Sequence, residues 1–476
     1  MPWRERLYLA CFYPLDSFRI KIYQLILFLF CVFVVTGGFA FHAANASELT
    51  TSEKGQITAE PLTFSLETQL LNNPILRQSA ARSCRAIFVL GQRKAEKKLD
   101  LSASLSGERQ IASNFKTSNS DPVPSSLRGY NHAYDDIYDL ELTARYRLYD
   151  WGVGSARIRS NEFSLQAERL SYQSSLSSVV EDILRVMMQI ESALQEVSYR
   201  TTALQDIAPH VEAIEAQGKA GSIGLAQVRE TKLSVLNAEI ALQRAERRFE
   251  ETQKELNARF KISYEEALPL LQTFLDVRAD EVVPIEARDW LNVRVLDARI
   301  AAQREDLEAI SNERYPVIDS VLETTVFDVT DYEREYQLVG RLELSVPLYD
   351  GGSNKARQQE KSWQVKELTS QREEQLRNHE TGTQQGQIIL DRQRGEIVTI
   401  KAQIEDIDGR YQSLNSLVGN SLVSRQQIIQ LMGERTQKMI ELSQLEWQQE
   451  FGLVRLNSLA NTLTSLLGIE LGDNQC

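Results

Sequence analysis

The chain contains Leu148-Tyr149-Asp150-Trp151-Gly152 and, 200 residues later, Leu348-Tyr349-Asp350-Gly351-Gly352. Each copy follows a segment of alternating polar and apolar residues, and each precedes a long polar segment with few turn signals. A unit that recurs at a fixed spacing decides a fold before any single motif does. The recurrence therefore predicts a duplicated unit of strands followed by long helices.

The alternating segments predict four β-strands, two before each copy. The strand that ends in the first copy places Tyr138, Leu140 and Leu142 on one face and polar residues between them. About ten residues suffice to cross a bilayer when a strand is tilted, and alternation of this kind is typical of a membrane barrel with a wet interior. An amphipathic hairpin on a soluble core is the alternative interpretation. The residues expected to face the water-filled side are Glu141, Arg145, Arg147, Arg341 and Glu343.

The segments after each copy predict very long helices. In the first, apolar residues step by four and three in turn, the spacing of a helix packed along a partner; they are Tyr172, Leu176, Val179, Ile183, Val186, Ile190, Ala193 and Val197. At 1.5 Å per residue, a helix from Val153 to Gly218 would span roughly 100 Å. Each long helix is expected to turn at a glycine, Gly221 or Gly419, and to be followed by a returning helix. Shorter helices are predicted before the strands, at residues 62–98 and 288–312.

These elements define a domain organisation for the whole chain. The first repeat is predicted at residues 47–260, with strands at 99–110 and 138–149 and a helical hairpin at 153–260. The second is predicted at 290–470, with strands at 316–327 and 336–348 and a hairpin at 353–467. A linker at 261–289 joins them, and residues 471–476 form a tail.

Four strands cannot close a barrel, since even small barrels need about eight. Open strand edges in lipid are costly because their backbone groups find no partner there. Several copies must therefore pool their strands, although this reasoning does not choose how many.

The N-terminus predicts export. An apolar run, Leu25–Phe41, follows Arg19 and Lys21, and small residues then precede Ser47. This pattern is typical of a signal peptide, here residues 1–46, cleaved between Ala46 and Ser47. An uncleaved membrane anchor is the alternative.

Composition and motifs argue against catalysis and nucleic-acid binding. The net charge is −13 and no basic stripe is evident, so nucleic acid is not an expected partner. The four histidines are not at metal-ligand spacing, and no phosphate-binding loop follows a strand. We therefore expect that the protein is not an enzyme and that it has no metal site and no cofactor. Asp150 and Asp350 are interpreted as helix caps. Cys84 and Cys476, the cysteines outside the leader, are too few and too far apart to predict a disulfide framework.

The two Leu-Tyr-Asp-x-Gly copies and the two tip segments, Gly221–Val228 and Gly419–Val423, resemble the TolC family of outer-membrane efflux and secretion channels. The resemblance covers about residues 60–470. It implies a mainly α fold with a membrane β part: a homotrimer with a twelve-strand β-barrel in outer-membrane lipid and a twelve-helix periplasmic α-barrel. It also implies a periplasmic adaptor protein at the hairpin tips and an inner-membrane transporter as the source of energy.

The resemblance assigns roles to particular residues. It places adaptor docking and gating at the tips, at Gly221, Ser222, Leu225, Gly419 and Leu422. It places the strand-to-helix junctions at Asp150, Gly152, Asp350 and Gly352. Family members often carry aspartates just past the tip glycines, where this chain has Gln227 and Arg425, so an acidic constriction is not expected.

The expected function is that of a passive outer-membrane duct in an export system that spans the envelope, either for type I protein secretion or for small-molecule efflux. The alternative from a different class is an anchored periplasmic coiled-coil scaffold or adaptor.

Overall fold

The structure is a computed structural model, and it describes residues 64–109, 136–277, 285–327, 329, 335–417 and 425–469. Three predictions lie outside these residues: the signal peptide with its cleavage site at Ala46 and Ser47, the second tip with Gly419 and Leu422, and the tail at 471–476.

The described residues contain nine α-helices, four strands and a short 3-10 helix, Ala287–Asp289. The first half contains α1 (Phe64–Asn72), α2 (Pro74–Ala95), β1 (Asp100–Arg109), β2 (Asp136–Tyr149), α3 (Val153–Lys219) and α4 (Leu225–Phe260). The second half contains α5 (Tyr264–Val277), α6 (Leu291–Asn312), β3 (Val317–Phe327), β4 (Glu335–Ser345), α7 (Ser353–Leu417), α8 (Arg425–Leu459) and α9 (Leu463–Leu466). The order helix, strand, strand, long helix, returning helix thus occurs twice.

The two long helices are continuous over 67 residues in α3 and 65 residues in α7. Pro209 lies inside α3 without ending it, although proline removes one backbone donor from a helix. Of the predicted heptad positions in α3, all except Val197 are buried.

Three predicted segments differ from the structure. The fourth strand, predicted at 336–348, spans Glu335–Ser345. The segment at 62–98 is not one helix, because Pro74 starts a new helix whose preceding residue, Asn73, accepts a hydrogen bond from the Ile75 backbone N–H at 2.9 Å. Residues 261–289 are not simply a linker, because they contain α5. Leu270 and Phe274 of α5 are almost completely buried in the main apolar cluster.

The four strands form one antiparallel sheet in the order β1-β2-β3-β4. The register pairs Ala103 with Leu142, Leu142 with Thr324, and Thr324 with Leu338. Because residues directly opposite each other point to the same face, the alternation predicted along single strands becomes two continuous faces of the sheet.

The helices pack around α3, which contacts α2, α4, α6 and α8. The main apolar cluster joins its central part, at Ile183, Met187 and Ile190, to α1, α5 and α8. No helix among the described residues is both long enough and apolar enough to cross a membrane.

Cys84 on α2 is disulfide-bonded, which the spacing of the cysteines did not predict. The other three cysteines of the chain lie outside the described residues.

Candidate conduit site

One face of the sheet is apolar and exposed. Leu105, Leu338 and Leu342 are 66%, 61% and 73% exposed, and the register continues their face across all four strands. Soluble monomeric proteins rarely expose an apolar surface of this extent, which marks contact with lipid or with another protein.

The opposite face is polar and crossed by ion pairs. The Arg147 guanidinium lies 3.1 Å from the Asp319 carboxylate, and Arg341 lies 3.3 Å from Glu343 and also contacts Glu323. Arg145 reaches Glu343 at 4.0 Å across the intervening strand. The register places the five residues predicted to face water together on this face. That the face lines a lumen remains a prediction.

The two strand-to-helix junctions have the same geometry. The Asp150 carboxylate accepts hydrogen bonds from the backbone N–H groups of Gly152 at 3.0 Å and Gly154 at 2.7 Å. The Asp350 carboxylate accepts them from Gly352 at 2.9 Å and Asn354 at 2.6 Å. These bonds hold the pKa of Asp350 below its usual range, because they favour the charged form.

The backbone conformation explains why each motif ends in glycine. Gly152 and Gly352 have φ values of 84° and 87°, a left-handed conformation that glycine adopts without steric cost. The chain can therefore pass directly from strand to helix at both junctions.

An aromatic cluster lies beside the first junction. The Trp151 ring centroid is 5.0 Å from that of Tyr149 and 5.3 Å from that of Tyr315, and the Arg314 guanidinium lies 4.9 Å from the Tyr315 ring. Tryptophan and tyrosine collect at membrane–water interfaces. The cluster lies where the sheet ends and the helices begin, and its residue types are those that favour a membrane–water interface.

The first hairpin tip turns at Gly221. This residue has φ 75°, and the next backbone N–H, that of Ser222, donates to the Gln217 carbonyl at 2.9 Å. This is the Schellman arrangement that ends helices at a glycine. Ser222 is exposed and Leu225 is 70% exposed, so both predicted docking residues are accessible in the chain.

Behind this tip lies a small apolar cluster, which we call the tip core. It joins Ile207 and Ile214 of α3 to Ile428, Ile429 and Met432 of α8. The two hairpins are therefore packed together near their tips, and a movement of one is expected to disturb the other.

The two residues at the predicted constriction, Gln227 and Arg425, each lie at the start of a returning helix. Gln227 lies in the first turn of α4, and Arg425 is the first residue of α8; both are half-buried. Near Arg425 the structure places His210, a buried residue of α3 that the sequence did not single out. Burial and the Arg425 charge lower the pKa of His210.

This arrangement predicts that acid loosens the tip. Because the pKa of His210 in the folded chain is below its ordinary value of 6.5, the stability that depends on neutral His210 is present above pH 6.5 and is lost as the pH falls towards the folded pKa. The His210→Gln variant should show a weaker loss of thermal stability between pH 7.5 and pH 5. The Arg425→Gln variant should reduce this pH dependence by a smaller amount, because burial lowers the pKa of His210 more than the Arg425 charge does. Equal pH dependence in the wild type and His210→Gln would contradict this account.

Sequence reasoning missed polar residues that connect α3 to its neighbouring helices. Glu196 of α3 is buried, yet its carboxylate accepts from Arg200 at 2.9 Å and from Arg248 of α4 at 3.1 Å. Next to it, Gln195 accepts a hydrogen bond from Trp447 of α8 at 3.2 Å. Both sit beside the heptad positions, and only the pairing of the helices reveals their partners.

Two glycines inside α7 allow this helix to pack closely against α8. A Cβ at Gly386 would come within 2.7 Å of the Leu456 side chain, and one at Gly382 would touch Leu459 at 3.6 Å. These two glycines permit close contact with α8, whereas a Cβ at Gly395 would meet nothing within 4 Å in the described chain.

The comparisons with known proteins agree with this geometry. The family model for outer membrane efflux proteins matches residues 66–259. No curated protein sequence matches the chain significantly.

Solved structures share the fold at low sequence identity. CusC is 11% identical with a TM-score of 0.69, over 83% of this chain and 91% of CusC. VceC from Vibrio cholerae is 15% identical with a TM-score of 0.67, over 86% of this chain and 96% of VceC. The CmeC channel from Campylobacter jejuni is 12% identical with a TM-score of 0.68, over 90% of this chain and 94% of CmeC.

Proposed function

We propose that the chain is an outer-membrane efflux protein of the TolC family and that three copies form one continuous export duct. The observation that carries the proposal is the four-stranded sheet with an exposed apolar face and an ion-paired polar face. Lipid would cover the first face, and water would fill the space behind the second.

The need for several copies follows from the sheet edges. Among the described residues, β1 and β4 each pair with one strand only. In a bilayer an unpaired edge leaves backbone donors and acceptors without water. Three copies would supply twelve strands, and the strand-helix unit, which we take to be duplicated within the chain, would supply the helices of the periplasmic tunnel.

The tips would receive a periplasmic adaptor. Leu225 and Ser222 are exposed at the end of the first hairpin, far along the roughly 100 Å helix from the sheet. The exposed leucine beside the glycine turn offers an apolar contact to a partner. The adaptor would link the duct to an inner-membrane transporter, which supplies the energy.

The cargo class divides the proposal into two versions. In one version the duct serves efflux of small molecules, and in the other it serves type I protein secretion. An anchored periplasmic scaffold is less well supported, since it has no use for an exposed apolar sheet face of this extent.

An export assay tests the proposal. Cells without the gene are compared with cells that carry it, for efflux of small toxic compounds and for protein secretion, with the protein located by membrane fractionation. We expect the protein in the outer membrane and the loss of one export activity, restored by the intact gene. Unchanged export of both cargo classes, or a protein found only in the inner membrane, would overturn the proposal.

The tip glycine gives a sharper test of the gate. Because Gly221 has φ 75°, valine at this position should strain the turn, at a cost of at least about 1–2 kcal/mol. Gly221→Val should reduce the export rate several-fold while leaving the trimer intact. Gly221→Asn is the matched control, since asparagine tolerates this conformation. Export by Gly221→Val at the wild-type rate would contradict a gating role for this turn.

A further inference from the structure

A cavity of about 590 Å³ lies between the two helical hairpins, near the middle of the long helices. Its walls come from α3 and α4 of the first hairpin and from α7 and α8 of the second. Ligand-binding cavities in proteins usually measure about 300–1,000 Å³. This cavity therefore has the size of a small-molecule site.

The lining is rich in side chains that both donate and accept hydrogen bonds. Five of them are glutamines, and a serine and a threonine add hydroxyl groups. We call this cavity the glutamine cavity after Gln189, Gln385, Gln393, Gln444 and Gln448. Amides and hydroxyls each carry a donor and an acceptor, so they suit a ligand whose own groups are hydroxyls or amides.

One of these glutamines is buried and incompletely bonded. Gln393 is 6% exposed, and its Oε1 atom has no hydrogen-bond partner in the part of the chain that the structure describes. A Cβ built on Gly452 would lie 3.9 Å from this atom, so the amide lies close to the α8 backbone at a residue that has no side chain. A buried acceptor without a donor is destabilising. A hydroxyl or amide N–H of a ligand would supply the donor.

Two aromatic rings line the same cavity. Trp447 and Phe451 are four residues apart on α8 and therefore lie on one face of the helix; both are half-buried. The indole N–H of Trp447 donates to Gln195 at 3.2 Å, which orients the ring. Such rings offer a flat apolar surface beside polar groups. A sugar ring has the matching chemistry, with apolar C–H faces and hydroxyls around its edge.

The charges around the cavity favour a neutral ligand. Three arginines line it, and each has a carboxylate nearby. The pairs are Arg185 with Asp182 at 3.3 Å, Arg248 with Glu196 at 3.1 Å, and Arg455 with Glu181, on which its charge acts. Because the positive charges are balanced within the chain, an anion would gain little by binding here.

We propose that the glutamine cavity is a binding site for a neutral saccharide. Trp447 and Phe451 would lie against the sugar ring, and the glutamine amides would bond to its hydroxyls and amide groups. The inference concerns residues of a single chain, so it can fail while the proposed duct holds, and the reverse.

Calorimetric titration of the purified full-length protein tests the proposal, in a detergent that has no sugar headgroup. The probe is N,N′-diacetylchitobiose, a neutral disaccharide that carries hydroxyls and amides. Citrate serves as the anionic comparison and indole as the apolar one. We expect binding of the disaccharide only. Binding of citrate or indole without the disaccharide, or no binding of any of the three, would overturn the proposal.

The Gln393→Leu variant tests the buried amide. It should weaken binding of the disaccharide by about tenfold, because a hydrogen bond to the ligand is lost. Without the disaccharide, the variant should unfold at the same temperature as the wild type or higher, because it removes a buried acceptor that lacks a donor. This second measurement identifies a ligand contact, since the loss of a structural glutamine would lower the unfolding temperature.

Two further variants complete the test. Gln384 is exposed on the same helix and does not line the cavity, so Gln384→Leu should bind the disaccharide as the wild type does. Phe451→Leu keeps an apolar side chain but removes the ring, and it should weaken binding several-fold. Native mass spectrometry on the same samples checks that the oligomeric state is unchanged. Wild-type affinity in Gln393→Leu or in Phe451→Leu would contradict the site.

Discussion

Replacing Leu142 with arginine is expected to keep the protein out of the outer membrane. Leu142 lies on the apolar face near the middle of β2, the second strand of the sheet, with Ala103 and Thr324 opposite it. An arginine on the lipid face of a barrel costs about 2–4 kcal/mol near the bilayer midplane, and three copies would each carry this cost. The measurement is the amount of folded, detergent-resistant trimer in purified outer membranes, which should fall to a small fraction of the wild-type amount.

The neighbouring residue provides the control. Thr143 lies on the polar face opposite Glu323, and its hydroxyl donates to Glu141 at 3.0 Å. An arginine there would meet carboxylates and water, so Thr143→Arg should assemble nearly as well as the wild type. If Thr143→Arg fails and Leu142→Arg assembles, the faces have been assigned the wrong way round.

Replacing Phe274 with alanine is expected to destabilise the chain by about 3–5 kcal/mol, the usual cost of emptying a well-packed aromatic site. Phe274 is 1% exposed and belongs to the main apolar cluster, together with Leu70 and Leu270. The measurement is thermal or denaturant unfolding of the purified protein. The result matters because Phe274 lies in the segment that the sequence predicts to be a linker.

Gln272 is the matched control for this variant. It lies two residues away on the same short helix and is exposed, so Gln272→Ala should change the free energy of unfolding by less than about 0.5 kcal/mol. A Phe274→Ala protein as stable as the wild type would mean that this segment is a linker after all.

Much of the fold could be predicted because it follows from strict periodicities. The alternation around Leu142 and the steps of four and three residues through Ile183 predict a strand and a helix respectively, and each pattern is long enough to override local exceptions such as Pro209. The glycines at 152 and 352 mark positions where the backbone needs a left-handed residue. Such signals are local, so the sequence alone carries them.

What could not be predicted depends on contacts between distant segments. The break at Asn73 and Pro74 has a local signal, a cap followed by proline, but it was hidden inside an otherwise helical pattern. The burial of Phe274, the pairing of Glu196 with Arg248, and the position of His210 near Arg425 arise only when the helices are packed.

Native mass spectrometry of the protein extracted from purified outer membranes tests the central claim most directly. We expect a trimer of chains that begin at Ser47, which would establish the location, the leader cleavage and the pooled strands in one experiment. A monomer or dimer that retains residues 1–46 and is found only in the inner membrane would contradict the duct and favour an anchored periplasmic scaffold.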